Sequence, residues 1–242
     1  MKEEVKITVK GRVGRVEWKV TKSDKDYINI AVAVNKKFKD KVTGEYIQAA
    51  KPDWYRIMVF TNLKSLSENI KKGDLITVSG TLSARAYKNK EDSSIPHIDL
   101  SIIAKTKDIA KIETSVKPIK QETSITVCGH IGYTECKIDK NNKDYFVMSV
   151  AVDKNHKSKA IGEYVQEDTK PDWYRIMVYG DIKSLSENVK KGDLIRVVGT
   201  PSIELYIDKN NNEPKIAYAV FGKTKNVTNI TNTRYDLQYH QQ

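Results

Sequence analysis

Apolar and polar positions alternate with period two along this chain, in runs that recur at matching places in each half. Val5, Ile7 and Val9 alternate with Lys6, Thr8 and Lys10, the pattern of a half-buried strand. Gly11 and Gly14 follow, where a barrel strand can bend or another backbone pass closely. After a polar loop over residues 22–26, Ile28, Ile30, Val32 and Val34 alternate with Asn29, Ala31 and Ala33 and predict a second strand. Residues 35–50 read as one long basic loop holding Lys36, Lys37, Phe38, Lys39 and Lys41. Residues 54–60 predict a third strand, with Tyr55, Ile57 and Val59 on one face and Trp54, Arg56, Met58 and Phe60 on the other. A buried, unpaired guanidinium is very costly. Arg56 therefore assigns the aliphatic face to the interior and the Trp-Arg-Phe face to a surface at least partly wet.

A short helix is expected next. Thr61 or Asn62 is placed to cap it, and Leu63, Leu66 and Ile70 form its apolar stripe. Lys71 and Lys72 suit its carboxyl end and Gly73 the C′ position. A fourth strand over about residues 75–87 puts Ile76, Val78, Leu82 and Ala84 on one face, with Thr77, Ser79, Thr81, Ser83, Arg85 and Tyr87 on the other. A polar loop over residues 88–94 leads to a last strand near residues 97–104. Three strands, one helix and two strands is the order of an OB-fold, a five-stranded Greek-key barrel with a helix plugging one end.

The chain writes this arrangement twice. Lys51-Pro52-Asp53-Trp54-Tyr55-Arg56-Ile57-Met58-Val59 returns letter for letter from Lys170, and Lys71-Lys72-Gly73-Asp74-Leu75-Ile76 returns from Lys190. The offset is 118 residues at Gly11 and Gly14, 119 within the identical block, and 118 again near Pro96 and Pro214. Such small insertions are what loops tolerate. The expected fold class is all-β, two tandem OB-folds. Residues 1–111 form the first domain, 112–122 a linker containing Pro118, 123–228 the second domain and 229–242 a polar, disordered tail.

Composition narrows the function. A formal charge of +11 over 242 residues favours polyanionic partners. The charge is uneven: residues 1–113 hold 23 Lys and Arg against 15 Asp and Glu, and residues 114–242 hold 19 against 16. The opening residues lack the apolar core of a signal peptide and no stretch is long enough to span a bilayer, so no membrane partner is expected. Cys128 and Cys136 occur in one repeat only, opposite Lys10 and Trp18 of the other. No shared disulfide or metal framework follows, and a reduced intracellular compartment fits. No phosphate-cradling Gly-Lys-Ser/Thr loop, His-Glu-x-x-His or paired Cys motif occurs, and none of the four histidines is duplicated at its matching position. Cys128, His130 and Cys136 lack metal-ligand spacing and a fourth member. The chain reads as a binding protein, not an enzyme, and no cofactor is implied.

The outward face carries the candidate chemistry. A sequence-tolerant binder of single strands needs aromatic platforms set among cations along a groove. The third strand supplies Trp54 and Phe60 with Arg56 between them, the fourth adds Arg85 and Tyr87, and the basic loop adds Phe38, Lys36 and Lys41. The same residues also fit a blander role. Strand aromatics are more often core or interface than ligand platforms, a wet face suits a subunit contact, and a lysine-rich loop is commonly a solvated charge run.

The motifs resemble those of bacterial single-stranded DNA-binding proteins. Val9-Lys10-Gly11-Arg12-Val13-Gly14 is similar to that family's first-strand glycine motif, and the run from Phe38 to Glu45 to its aromatic-led loop. Trp54-Tyr55-Arg56-Ile57-Met58-Val59-Phe60 resembles its most recognisable strand, and the run from Lys71 to Gly80 its helix-to-strand turn. The resemblance implies base stacking on Phe38, Trp54, Phe60 and Tyr87 with Arg56 holding phosphate. In the second repeat it implies platforms at Trp173, Tyr179 and Tyr206 and a cation at Arg175. His156 replaces Phe38 there and Glu204 replaces Arg85. With the lower charge, this predicts that the second repeat holds DNA less tightly or serves more in assembly. The resemblance further implies single-stranded DNA as partner, protection of exposed strands in replication, recombination or repair, and a homodimer presenting four OB-folds. The acidic, hydrophobic-tipped tail that recruits replication and repair proteins in that family is absent from the residues ending at Gln242. Two other readings remain at this stage: an OB-fold scaffold in a replication-restart assembly, and a single-stranded RNA binder.

Overall fold

The computed structural model describes residues 3–35, 37–39, 43–88, 96–112, 120–153, 155–157, 164–166 and 171–231. The chain divides into two compact units, Lys6–Ser124 and Ile125–Gln242 together with Met1–Val5.

In the first repeat the strands are β1 (Glu4–Val20), β2 (Asp26–Val34), β3 (Lys37–Lys39), β4 (Tyr46–Gln48) and β5 (Asp53–Val59). Helix α1 (Leu63–Asn69) follows, then β6 (Leu75–Lys88), β7 (Pro96–Ala104), a 3₁₀ turn (Thr106–Asp108) and β8 (Ile109–Lys111). β1 pairs with both β2 and β6, β2 with β5, β5 in parallel with β7, and β7 with β6. These five pairings close a barrel without an unpaired edge among the five. The expected inward face is the observed one: Ile28, Ile30, Ile57, Val59, Ile76 and Val78 are sealed from solvent. Leu66 and Ile70 cover one end. Each such side chain contributes roughly 1.5–3 kcal/mol over an exposed one.

The second repeat has the same plan. β9 (Glu122–Ile138), β10 (Asp144–Val152), β11 (Asn155–Lys157), β12 (Tyr164–Gln166) and β13 (Asp172–Tyr179) precede α2 (Ile182–Asn188). β14 (Leu194–Ile207), β15 (Pro214–Lys223) and β16 (Val227–Asn229) complete it. β9, β10, β13, β15 and β14 close the second barrel in the same order, with β13 and β15 parallel. The all-β, twin OB-fold expectation agrees with this architecture.

The first strand bends at its glycines as expected, with a bulge between Val13 and Arg15, and β1 runs on through them for 17 residues. Several local expectations are corrected. The basic loop contains a short hairpin, β3 with β4. Asn62 is the N-cap of α1, but its backbone is left-handed (φ 47°) and its side chain makes no capping bond. In α2 the matching residue is Asp181, whose Oδ1 accepts from Ser184 N at 3.1 Å. Gly73 does not sit at C′, because the helix ends in an extended Ile70 before the lysines. Gly73 serves the next turn, at φ +93°, a conformation that side chains resist.

That turn explains why the Lys-Lys-Gly-Asp-Leu run is written twice. Gly73 N donates to Val13 O at 2.7 Å, Val13 N donates to Asp74 O at 2.8 Å, and Asp74 Oδ2 accepts from Lys71 N at 2.8 Å. Gly192, Ile131, Asp193 and Lys190 repeat the arrangement. The turn thereby pins the helix exit to the first strand of each barrel.

The proposed tail begins too early. Val227–Asn229 pairs with β14, Ile230 is buried beside Cys128 and Leu194, and Thr231 Oγ1 accepts from Leu194 N at 2.8 Å. Residues 232–242, the rest of that tail, lie outside the described residues. The same is true of residues 113–119 of the proposed linker; at its ends, Ile112 N donates to Leu75 O and Gln121 Oε1 accepts from Asn35 N.

Candidate nucleic-acid interface

The outer face of the first barrel is built in rows across β1, β2, β5, β7 and β6. Arg15 faces Ala31, which faces Arg56, which lies beside Ser101. A neighbouring row joins Ala33 to Trp54, and Asp99 faces Arg85 across β7 and β6. The alanines of β2 leave room above the sheet for the long side chains on either side. The result is a cleft of about 440 Å³, walled by Trp54, Arg56, Arg15, Lys19, Asn29 and Asp99 among others.

Trp54 is the platform of this cleft, with 57% of its surface exposed. A Cβ at Gly14 would lie 2.6 Å from two atoms of its six-membered ring, so the bare glycine lets the indole lie down on β1. Gly11 answers to a different neighbour, the Ala33 carbonyl oxygen, 2.4 Å from where its Cβ would be. Trp173 repeats the first arrangement over Gly132 with 52% exposure. A large aromatic supported from beneath and open above presents a flat apolar face at little conformational cost.

Phe60 stands at the edge of the face and is stacked on Tyr27, ring centroids 5.4 Å apart. Tyr179 stacks on Tyr145 at the same separation. Tyr206 is exposed on β14 and Arg175 exposed on β13. The side chains of Phe38, Arg85, Tyr87 and His156, and Lys36 and Lys41 entirely, lie outside the described residues; Phe38 is on β3 and Arg85 and Tyr87 are on β6.

Arg56 is outward as its strand position requires, and its guanidinium pairs with Asp99. Glu17 bridges the other two cations of the cleft, at 3.2 Å from Arg15 and 3.1 Å from Lys19. The Lys19 ammonium, bonded to it, is the main cause holding its carboxyl below the usual carboxylate range. Sequence reasoning missed Tyr27, Tyr145, Arg15, Lys19 and Asp99. For Arg15 and Lys19 a signal was present: after Gly14 the alternation resumes with shifted phase, setting Arg15, Glu17 and Lys19 against Val16 and Trp18.

The second face is wired differently. Tyr133 stands where Arg15 does, hydrogen-bonded to Glu135, which pairs with Lys137 at 2.8 Å. Beneath it, Tyr174 and Tyr218 pack at 5.1 Å, and burial raises both phenols, Tyr174 well above its ordinary range. Among the described residues no three His, Cys, Asp or Glu side chains converge to hold a metal, and no helix is long and apolar enough to cross a membrane. Cys128 is buried, which raises its thiol, and Cys136 is exposed.

The chain is thus two OB-type barrels, each with a tryptophan laid on a glycine beside an outward arginine. The single-strand binding protein family matches residues 5–109 and again 122–229. The chain belongs to the single-strand binding protein family, one of binding proteins rather than enzymes. The single-stranded DNA-binding proteins of Rickettsia conorii and Rickettsia typhi are each 30% identical to it over 87 residues, which is 35% of this chain and 56% of theirs. The chain thus spans about half the length of the curated relatives it matches. The wild-type single-stranded DNA binding protein from Thermus aquaticus superposes with a TM-score of 0.56 at 13% identity, covering 95% of this chain and 94% of that one. A deletion mutant of it gives 0.57 at 12% identity. At such identities the likeness is one of fold.

Proposed function

We propose that the protein binds single-stranded DNA without sequence preference, stacking bases on the outer aromatics of each barrel and holding phosphates with the adjoining cations. Family membership supports this, and so do the names of the matched relatives. The observation that carries it is the exposure of Trp54 and Trp173 over Gly14 and Gly132, each beside an outward arginine. An indole with a partner only beneath it has one face to give to a base, and such stacking contributes roughly 1–3 kcal/mol per base. Phe60, Tyr179 and Tyr206 extend the path, joined by Phe38, Tyr87, Arg85, Lys36 and Lys41 from the basic loop and β6.

In this reading residues 1–111 and 123–228 are the two binding domains, and the chain protects exposed strands in replication, recombination or repair. A homodimer would present four barrels. The first barrel holds DNA more tightly, because its loop is richer in lysine and carries Phe38 where the second has His156. Titration of tryptophan fluorescence with oligo-dT of graded lengths tests the proposal. Quenching that saturates at a defined length is expected, and no quenching at low salt would refute it. Equal titrations with poly-dT and poly-U separate DNA from RNA binding.

A further inference from the structure

Asp99 places a negative charge in the middle of a surface built for phosphate, and only the first barrel has it. In the second barrel its position on β15 is Ala217, as the shared register shows: Asp99 faces Arg85 across β7 and β6, and Ala217 faces Glu204 across β15 and β14. The Asp99 carboxylate pairs with the Arg56 guanidinium within the cleft that Trp54, Arg15 and Lys19 line. Arg175, at the place of Arg56, makes no direct hydrogen bond or ion pair among the described residues; the carboxylate whose charge reaches it, Glu135, is paired with Lys137. Glu204 bonds Ser202 Oγ at 3.5 Å, two residues away on its own strand.

We propose that Asp99 is a built-in competitor for phosphate at Arg56, setting the affinity of the first barrel in a way the second lacks. The proposal rests on the reading that this face takes a single strand. A carboxylate and a phosphodiester each offer a guanidinium two oxygens for paired hydrogen bonds, so they bind it in exchange for one another. Both partners are partly exposed, 45% and 35%, and an ion pair so placed is weak enough to be exchanged. Asp99 therefore tempers binding and does not block it. When a phosphate takes Arg56, the freed carboxylate draws a cation from solution, so binding releases one counterion fewer than it would without Asp99. Because Asp99 acts against the richer charge of the first barrel's loop, it narrows the difference between the two barrels.

The test uses the full chain carrying Trp173→Ala, so that quenching reports the first barrel, titrated with oligo-dT at several salt concentrations. Asp99→Asn keeps the side chain's shape and removes its charge. It is expected to tighten binding about two- to fivefold and to steepen the slope of log K against log salt by about 0.7. Both effects vanish when Arg56→Gln is added, which a merely structural role for Asp99 would not produce. The mirror variant, Ala217→Asp in a chain carrying Trp18→Phe and Trp54→Ala so that Trp173 alone reports, is expected to weaken the second barrel's binding by a similar factor, and it carries the test if Asp99→Asn does not fold. Affinity unchanged by either substitution, or a gain that persists without Arg56, overturns the proposal. A parent chain that shows no quenching overturns the single-strand reading itself, an outcome visible before Asp99 is touched.

Discussion

The two barrels share a backbone plan, a core and the same Trp-over-Gly platform, yet their outer faces distribute charge differently. The first joins its cations to carboxylates, Arg56 to Asp99 and Arg15 and Lys19 to Glu17. Among the described residues the second pairs Lys137 with Glu135 and Lys215 with Asp208, replaces Arg15 by Tyr133, and leaves Arg175 facing Ala219. After a duplication, the positions that hold a barrel together are constrained by packing, whereas outward positions are free to diverge because a surface substitution costs little. Identity in the strand-three block and divergence around it thus separate what both barrels need from what each does with its face.

The platforms are the most sensitive place to probe this. Trp54→Ala and Trp173→Ala, made separately in the full chain, are each expected to weaken oligo-dT binding at their own barrel by roughly 1–3 kcal/mol. The Trp54 variant should show the larger loss in total affinity. Equal losses would mean that the two faces contribute alike, and a larger loss at Trp173 would reverse their order.

Stability should separate the units next. Asp74 and Asp193 take the same backbone bond, but Asp74 also pairs with Lys111 at 3.0 Å, and Asp193 is bonded by the neutral Asn229 amide at 2.8 Å. The Lys71 backbone N–H, and then Lys111, hold the Asp74 carboxyl below its usual range. A carboxyl depressed by folding stabilises the fold above its unfolded pKa, near 4, and loses that contribution as pH falls through the lower folded value. Asp74→Asn should cost about 1–2 kcal/mol at neutral pH and flatten the acid limb of the first barrel's unfolding. Thermal melts from pH 7 to 2 check this; an acid limb unaltered by the substitution would exclude Asp74 as its source.

The smallest expected effect concerns the glycine beneath each tryptophan. Gly14→Ala pushes a methyl against an exposed ring that can tilt away, so it should weaken binding by about 1 kcal/mol and leave the melting temperature nearly unchanged. Gly11→Ala meets a backbone carbonyl that cannot move, and should instead lower stability. If Gly14→Ala unfolds the barrel while binding per folded molecule is unchanged, the indole is a packing residue and not a platform.

Much of this was legible in the residues alone. Period-two alternation assigned inward and outward faces to β2, β5 and β6, and Arg56 oriented β5, because burying an unpaired guanidinium is prohibitive. Short elements escaped it: β3 with β4, and β8, are three residues each, too brief for a period to show. Asn62 failed as a side-chain cap although its residue type suits one, since a cap depends on backbone angles that composition does not report. Asp99 was invisible as a partner of Arg56 because 43 residues separate them, and only the parallel pairing of β5 with β7 brings them together.

By itself, then, the sequence determined the duplication, the barrel type and which side of each strand meets water, since these follow from local alternation and from the cost of burying charge. The tertiary structure alone decided that Gly14 supports Trp54, that Tyr27 stacks on Phe60 and that Asp99 holds Arg56. Those are relations between side chains on different strands, and their distances are set by register and barrel closure, which no local pattern encodes.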